Sequence, residues 1–191
     1  MTSDPTKVAV FTMNRHQDDM RIYMANPLTT LSKLVVQDKV DKYVKQESMC
    51  AVTFTDQHIL VPSERDGYNH IFIYTLNGQL KRQVVKGHFE VTDIYGMDEK
   101  TGDVYFQAAM LNPHDRQVYV AHKNGKTVRL SDKKGWNTAL FSGDYQYFVN
   151  TCSDYNTPYV VTTRDNNGRV ISTLQDNADL KAKVAESGFA K

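Results

Sequence analysis

A hydrolytic nucleophile, a phosphate cradle and a zinc centre each require particular residues at particular spacings, and the chain offers only near misses. No Gly-x-Ser-x-Gly elbow occurs; Phe141-Ser142-Gly143-Asp144 comes nearest and reads as a turn between two strands. Gly125-Lys126-Thr127 imitates the tail of a phosphate-binding loop. That loop needs a glycine where Val120 stands and must open a helix, whereas this tripeptide follows a hairpin turn. The histidines are His16, His58, His70, His88, His114 and His122, and no pair has the helical spacing and neighbouring glutamate of a zinc hydrolase. Scattered through strands and turns, they read as structural groups. Asp144, Asp154 and Asp165 stand in turn contexts, without the spacing of a calcium loop. Cys50 and Cys152 are isolated and read as small buried hydrophobes in strands. The residues by themselves predict no catalytic centre, no metal and no cofactor.

The composition narrows the class of protein. In 191 residues, 23 Lys and Arg face 22 Asp and Glu, and 40% of the chain is hydrophobic. Disorder, a collagen-like repeat and a disulfide scaffold are excluded. A net charge of +1 supplies no field to gather phosphates, so nucleic acid is not an expected partner. No stretch approaches the roughly 20 apolar residues of a membrane span. The start carries neither the basic nor the apolar region of a secretory leader and enters a strand-like run at Val8, so Met1 reads as an added start.

Strand signals dominate the chain. Val8–Met13, His70–Tyr74, Asp103–Phe106 and Gln117–Val120 are short, β-branched or aromatic, and bounded by turn residues. Asn-Gly occurs at Asn77-Gly78, Asn124-Gly125 and Asn167-Gly168, with Asn26-Pro27 at the equivalent place one unit earlier. Asn-Gly favours the left-handed φ of a two-residue hairpin, so each pair predicts a tight hairpin. Aligning these turns gives a repeat of roughly 40–50 residues, the period of a propeller blade. The chain therefore reads as all-β: one fragment, residues 1–191, of an incomplete β-propeller with about three and three-quarter four-stranded antiparallel blades. The expected units are 7–37 (three strands), 50–87, 90–131 and 137–175. A single short helix over 177–186 follows, capped by Asn177 or Asp179 with Leu180 and Val184 on one face. Closed propellers need about four to eight blades. A β-sandwich also has short, regular strands but gives no reason for the period. The blades of Cys50 and Cys152 are separated by an intervening one, so no bridge between them is expected. Open strand edges near Val8 and in the last blade predict edge-mediated self-association.

Several segments, in order and at blade spacing, resemble one family. They are Met13-Asn14-Arg15-His16-Gln17, Ser63-Glu64-Arg65-Asp66-Gly67-Tyr68-Asn69-His70-Ile71-Phe72, Lys86-Gly87-His88-Phe89-Glu90-Val91 through Phe106, and Asp165-Asn166-Asn167-Gly168 through Leu180. Together they resemble the β-propeller of dipeptidyl peptidase IV-type serine peptidases of the prolyl oligopeptidase superfamily. The likeness runs from about Asp4 to Leu180. It departs from the family at Tyr43-Val44, where Trp-Val is common, and at Phe89, where Trp or Tyr is preferred.

The resemblance implies a parent with an eight-bladed propeller followed by an α/β-hydrolase domain, periplasmic or secreted, removing N-terminal dipeptides after proline through a Ser-Asp-His triad. That domain would lie beyond Lys191, and no Glu-Glu pair for the substrate's amino group is present, so no catalytic residue carries over. The partners implied are the parent's hydrolase domain and, through it, a peptide. In the family the loop matching Asp38–Ser48 approaches the cavity between the two domains. Lys42, Tyr43 and Lys45 are the candidates to line it, against the plainer reading of a solvated inter-blade loop. Asn14, Arg15 and Gln17 are candidate turn residues, with Arg15 expected to pair with a neighbouring blade; Asp66-Gly67 is expected to make a hairpin turn. The leading expectation is a non-catalytic segment that walls the cavity and restricts entry. A stand-alone propeller-like protein-binding module is the alternative, and a complete small hydrolase a third reading.

Overall fold

The computed structural model describes residues 4–188. Sheet 1 contains β1 (Val8–Met13), β2 (Asp19–Ala25) and β3 (Ser32–Lys39), and the helix α1 (Gln46–Cys50) follows it. Sheet 2 contains β4 (Thr53–Phe54), β5 (His58–Ser63), β6 (His70–Thr75) and β7 (Leu80–Gln83). Sheet 3 contains β8 (Val91–Asp98), β9 (Asp103–Ala108), β10 (Gln117–Ala121) and β11 (Thr127–Arg129). Sheet 4 contains β12 (Trp136–Phe141), β13 (Tyr147–Asp154), β14 (Thr157–Asp165) and β15 (Val170–Gln175), and α2 (Ala178–Glu186) closes the chain. In every sheet consecutive strands pair in sequence order and antiparallel.

The burial pattern tells inner sheets from outer ones. β5, β6, β9 and β10 are buried at nearly every position, whereas β2 and β13 alternate. A strand with neighbours on both faces buries every side chain; one with a single covered face buries every second. Three cores follow. Met20 and Ile22 of sheet 1 meet Ile59, Val61 and Phe72 of sheet 2. Leu60, Ile71 and Ile73 meet Val104, Phe106 and Tyr119 of sheet 3. Tyr105, Val118 and Val120 meet Phe148 of sheet 4. Each such side chain contributes about 1.5–3 kcal/mol on burial. Four sheets stacked in series, each face to face with the next, make an incomplete β-propeller and not a two-sheet sandwich.

The Asn-Gly turns differ from the two-residue hairpins expected. Gly78, Gly125 and Gly168 have φ of 93°, 88° and 82°, while none of the three asparagines has a positive φ. Each glycine N–H donates to the carbonyl three residues back, at Thr75, His122 and Asp165, and each of those N–H groups donates to Gln79, Lys126 and Arg169. These are three-residue hairpins, a type I turn followed by a left-handed glycine bulge, so only the glycine needs the special conformation. At Gly78 and Gly168 a Cβ would meet the carbonyls of Val35 at 2.5 Å and Leu130 at 2.4 Å. That shared contact makes β3 the counterpart of the segment around β11, the outermost strand. Sheet 1 therefore holds the second to fourth strand positions, and the edge of β1 that β4, β8 and β12 would match is unpaired among the described residues.

Three further expectations change. A second helix, α1, forms just ahead of sheet 2, a region too short and polar to announce itself by periodicity. Cys50 lies at its end and is exposed; Cys152 is buried in β13, and neither is bonded to the other. Asn177 occupies the cap position of α2 in a left-handed conformation without capping through its side chain, which instead donates to the Tyr159 carbonyl at 2.6 Å. With no buried residue in α2, Leu180 has no core to join.

Candidate functional site

Because β1 matches the second strand of the four-stranded sheets, antiparallel alternation places 14–18, 40–52, 64–69, 84–90, 109–116 and 130–135 at one end of the stack. The tight turns 55–57, 76–79, 99–102, 122–126, 142–146 and 166–169 lie at the other. The candidate loop belongs to the first end. Val44, 5% exposed, anchors it in the core between sheets 1 and 2, while Tyr43 beside it is 57% exposed. The β1–β2 turn braces the loop from below. Val40 N–H donates to the Asp18 carbonyl at 2.9 Å and Val44 N–H to the Gln17 carbonyl at 2.5 Å. Gln17 is left-handed at φ 57°, and the Asn14 side-chain oxygen accepts the N–H groups of Asp18 and Asp19 at 3.0 and 3.1 Å. Asn14 and Gln17 thus shape the turn that carries the loop. Arg15 is exposed and, among the described residues, makes no ion pair with the next sheet.

Lys42 and Tyr43 open onto a cleft of about 320 Å³ lined also by Lys39, Val40, Asp41, Glu64, Arg65 and Gly67. Lys45 is not free to reach into it: its ammonium pairs with Glu64 at 2.5 Å, and that contact, against a smaller opposing effect of burial, raises its pKa. Behind the cleft wall lies an ionic cluster that sequence reading missed. Asp38, 1% exposed, accepts the Ser63 hydroxyl at 2.8 Å and pairs with Arg65 at 2.9 Å. Arg65 also donates to Tyr74 Oη at 2.7 Å and lies over the Phe72 ring at 4.3 Å. The available signal was Asp38 itself, a carboxylate at an inward position of β3, which a fold cannot bury without a cation.

Beside this cluster, Gly67 at φ 99° closes the turn onto the Glu64 carbonyl at 2.9 Å. Asp66 turns inward to the His70 Nδ1 at 2.8 Å and to the Gln83 amide. Burial pushes the Asp66 carboxyl up, but these two hydrogen bonds outweigh it and hold the pKa below the ordinary value. Ser63 and His70 are cross-strand partners, which puts a serine, a histidine and an aspartate close together. The Ser63 hydroxyl, however, donates to Asp38 rather than to His70, so the hydrogen bond that activates a nucleophile is not formed. The arrangement can offer a cation and a phenol hydroxyl to carbonyl or carboxylate groups. Among the described residues no cluster of three or more His, Cys, Asp or Glu could hold a metal ion, and no helix is long and apolar enough to cross a membrane. A larger recess of about 670 Å³ borders the open edge of β1, walled by Phe11, Met49, Val52 and Phe54, and lies apart from the charged cluster.

Serially stacked antiparallel sheets with one end of tight turns and one of long, ionically braced loops define a propeller segment. Residues 2–159 match the family described as "Dipeptidyl peptidase IV (DPP IV) N-terminal region", and the chain belongs to that family. It is similar to the crystal structure of Porphyromonas gingivalis dipeptidyl peptidase 4, with a TM-score of 0.92 and 36% identity over 96% of this chain and 26% of that one. A putative dipeptidyl aminopeptidase IV from Bacteroides ovatus shares the fold, with a TM-score of 0.76 at 20% identity, covering 90% of this chain and 27% of that one. Dipeptidyl peptidase 4 of Trichophyton rubrum is 25% identical over 202 aligned residues, 100% of this chain and 26% of its own length. The chain thus spans about a quarter of the length of these relatives.

Proposed function

We propose that the chain is a non-catalytic propeller segment of a serine-type dipeptidyl peptidase, an enzyme that removes dipeptides from peptide N-termini. In this reading its long-loop end faces the catalytic domain and walls the substrate cavity. The supporting observation is the exposed Lys42-Tyr43 pair on a loop clamped by Val44 and by the Gln17 turn, opening onto a cleft backed by the Asp38–Arg65 pair. A rigid wall that presents one cation and one phenol suits the carbonyls of a short peptide. Lys45, held by Glu64, sets the position of the wall and does not itself reach for the ligand.

Two assays test this. The purified 191-residue chain should show no cleavage of a dipeptidyl chromogenic substrate, and turnover by the chain alone would sink the proposal. In the longer peptidase containing this segment, Lys42→Ala and Tyr43→Ala should raise KM several-fold with kcat little changed. Unaltered KM in both would remove the pair from the cavity wall.

A further inference from the structure

Sheets 2 and 3 each have a neighbour on both faces, so what stands between their outermost strands, β7 and β11, is set within the fold. A register shift beside Ile73 pairs that residue with Arg82 instead of Lys81, which turns Arg82 onto the face that meets sheet 3. Its Nη2 donates to the Gly102 carbonyl of sheet 3 at 2.9 Å. From the other side, Arg129 is the cross-strand partner of Tyr119, whose ring packs in the same core as Ile73, so Arg129 faces β7 across the wedge. Lys123 lies against Gly102, its side chain 3.1 Å from a Cβ placed there. Among the described residues none of these three cations is in an ion pair, whereas the guanidiniums of Arg65 and Arg164 each meet a carboxylate. Residues 80–86 and 119–131 contain no aspartate or glutamate. Burial lowers the Arg82 pKa and Asp103 works against that, but the Asp103 oxygens already accept from His122 at 2.9 Å and from the Lys123 N–H at 3.1 Å. Behind the cations Tyr119 is 4% exposed, and its buried hydroxyl has no hydrogen-bond partner among the described residues. Burial pushes that hydroxyl's pKa up while the Arg129 guanidinium pulls it down, which places Arg129 near it. An unpaired buried hydroxyl calls for an explanation.

We propose that the wedge between β7 and β11 is an oxyanion site, which takes a phosphate mono- or diester between Arg82, Arg129 and Lys123, with the Tyr119 hydroxyl behind them as a further donor. A guanidinium presents five N–H donors in a fixed fork that matches phosphate oxygens two at a time. Arg82 gives one nitrogen to Gly102 and keeps the rest of its fork for a ligand. Donors that converge from two sheets suit a tetrahedral group better than a planar carboxylate. A bound anion also offsets the cost of holding Arg82 half-buried without a counter-charge. The site takes one charged group, so the near-zero net charge that argues against nucleic acid does not bear on it. It stands on the outer rim, away from the Lys42-Tyr43 cleft, and does not depend on the peptidase reading.

The experiment is calorimetric titration of the 191-residue chain with inorganic phosphate at low salt, beside Arg82→Gln, Arg129→Gln and Lys134→Gln, the last an exposed cation at the long-loop end. Thermal melts of each variant check that the fold is kept. Binding should saturate and weaken about tenfold in each arginine variant, the worth of one charge-assisted hydrogen bond. Lys134→Gln should stay within about twofold of the unaltered chain. A second arm uses phosphatidylcholine vesicles with and without phosphatidylglycerol. Binding to the anionic vesicles that inorganic phosphate displaces supports the site with a lipid headgroup as its ligand; phosphate binding without vesicle binding supports it with a free phosphate ester. No saturable binding below about 10 mM phosphate would overturn the proposal. So would undiminished binding in either arginine variant, or equal weakening in all three variants, the mark of diffuse charge. Should Arg82→Gln melt early, Lys123→Gln replaces it under the same criteria.

Discussion

The two ends of the stacked sheets are made by the same strands and solve the same problem differently. At the tight-turn end, a backbone hydrogen bond across three or four residues closes most of the hairpins, completed by a left-handed glycine or by a local side-chain oxygen such as that of Thr55 or Asp165. At the long-loop end local backbone bonds, such as Gly67 N–H to the Glu64 carbonyl and Gln17 N–H to the Asn14 carbonyl, close only parts of the loops. Side-chain contacts hold the rest: the buried Asp38 with Arg65, the more exposed Lys45 with Glu64, Asp66 with the buried His70, and Glu90 accepting the Asn69 N–H at 2.8 Å. The exposed aromatics Tyr43 and Tyr155 lie at this end, whereas the exposed leucines Leu28 and Leu31 of sheet 1 are the exception at the other. Turns that satisfy their own backbone need no particular side chain at the tip. Loops that must be braced from outside present one, and binding residues gather on such braced loops.

If bracing by buried charge is what separates the ends, removing it should cost most. Arg65→Ala leaves the Asp38 carboxylate buried without its cation and should destabilise the chain by about 3–5 kcal/mol in urea unfolding; a loss under ~1 kcal/mol would mean that the cluster does not hold the loop. The tight-turn end should respond only where a turn is packed. Gly78→Ala meets both the positive φ and the Val35 carbonyl, and the expected cost is about 3 kcal/mol. Gly125→Ala, in the same turn type with nothing within 4 Å, should cost only about 1–2 kcal/mol. Equal losses at the two glycines would show that conformation alone decides the turn.

Asp66→Asn should cost roughly 1.5 kcal/mol at neutral pH, the value of a hydrogen bond to a charged group. The Asp66 pKa is depressed on folding, so its contribution is present above the unfolded value of 3.8 and is lost as pH falls through the lower folded one. The acid limb of the stability profile below about pH 4 should therefore flatten in the variant. The smallest effect is expected at Lys42→Ala, whose side chain is exposed: stability should stay within about 0.5 kcal/mol. A larger loss would make Lys42 one of the braces and erase the distinction drawn between wall and support.

Much of this was legible in the residues. Asn77-Gly78, Asn124-Gly125 and Asn167-Gly168 located the hairpins and their spacing exposed the repeat, because a left-handed turn position is a local demand that glycine meets locally. The helix at Gln46–Cys50 was not legible, since five residues carry no period. Nor was the fate of Lys45, Arg15 or Asn177, because each depends on whether a partner distant in sequence lies within reach.

The sequence by itself determined that this is an all-β repeat of short strands without a formed nucleophile or metal motif, since turn chemistry and hydrophobic pattern act over a few residues. Only the tertiary structure decided that Asp38 would meet Arg65 and that Lys45 would be taken by Glu64 while Lys42 and Tyr43 stayed open. Those outcomes depend on the angle and offset between sheets, which many side chains fix together by packing and no single segment encodes.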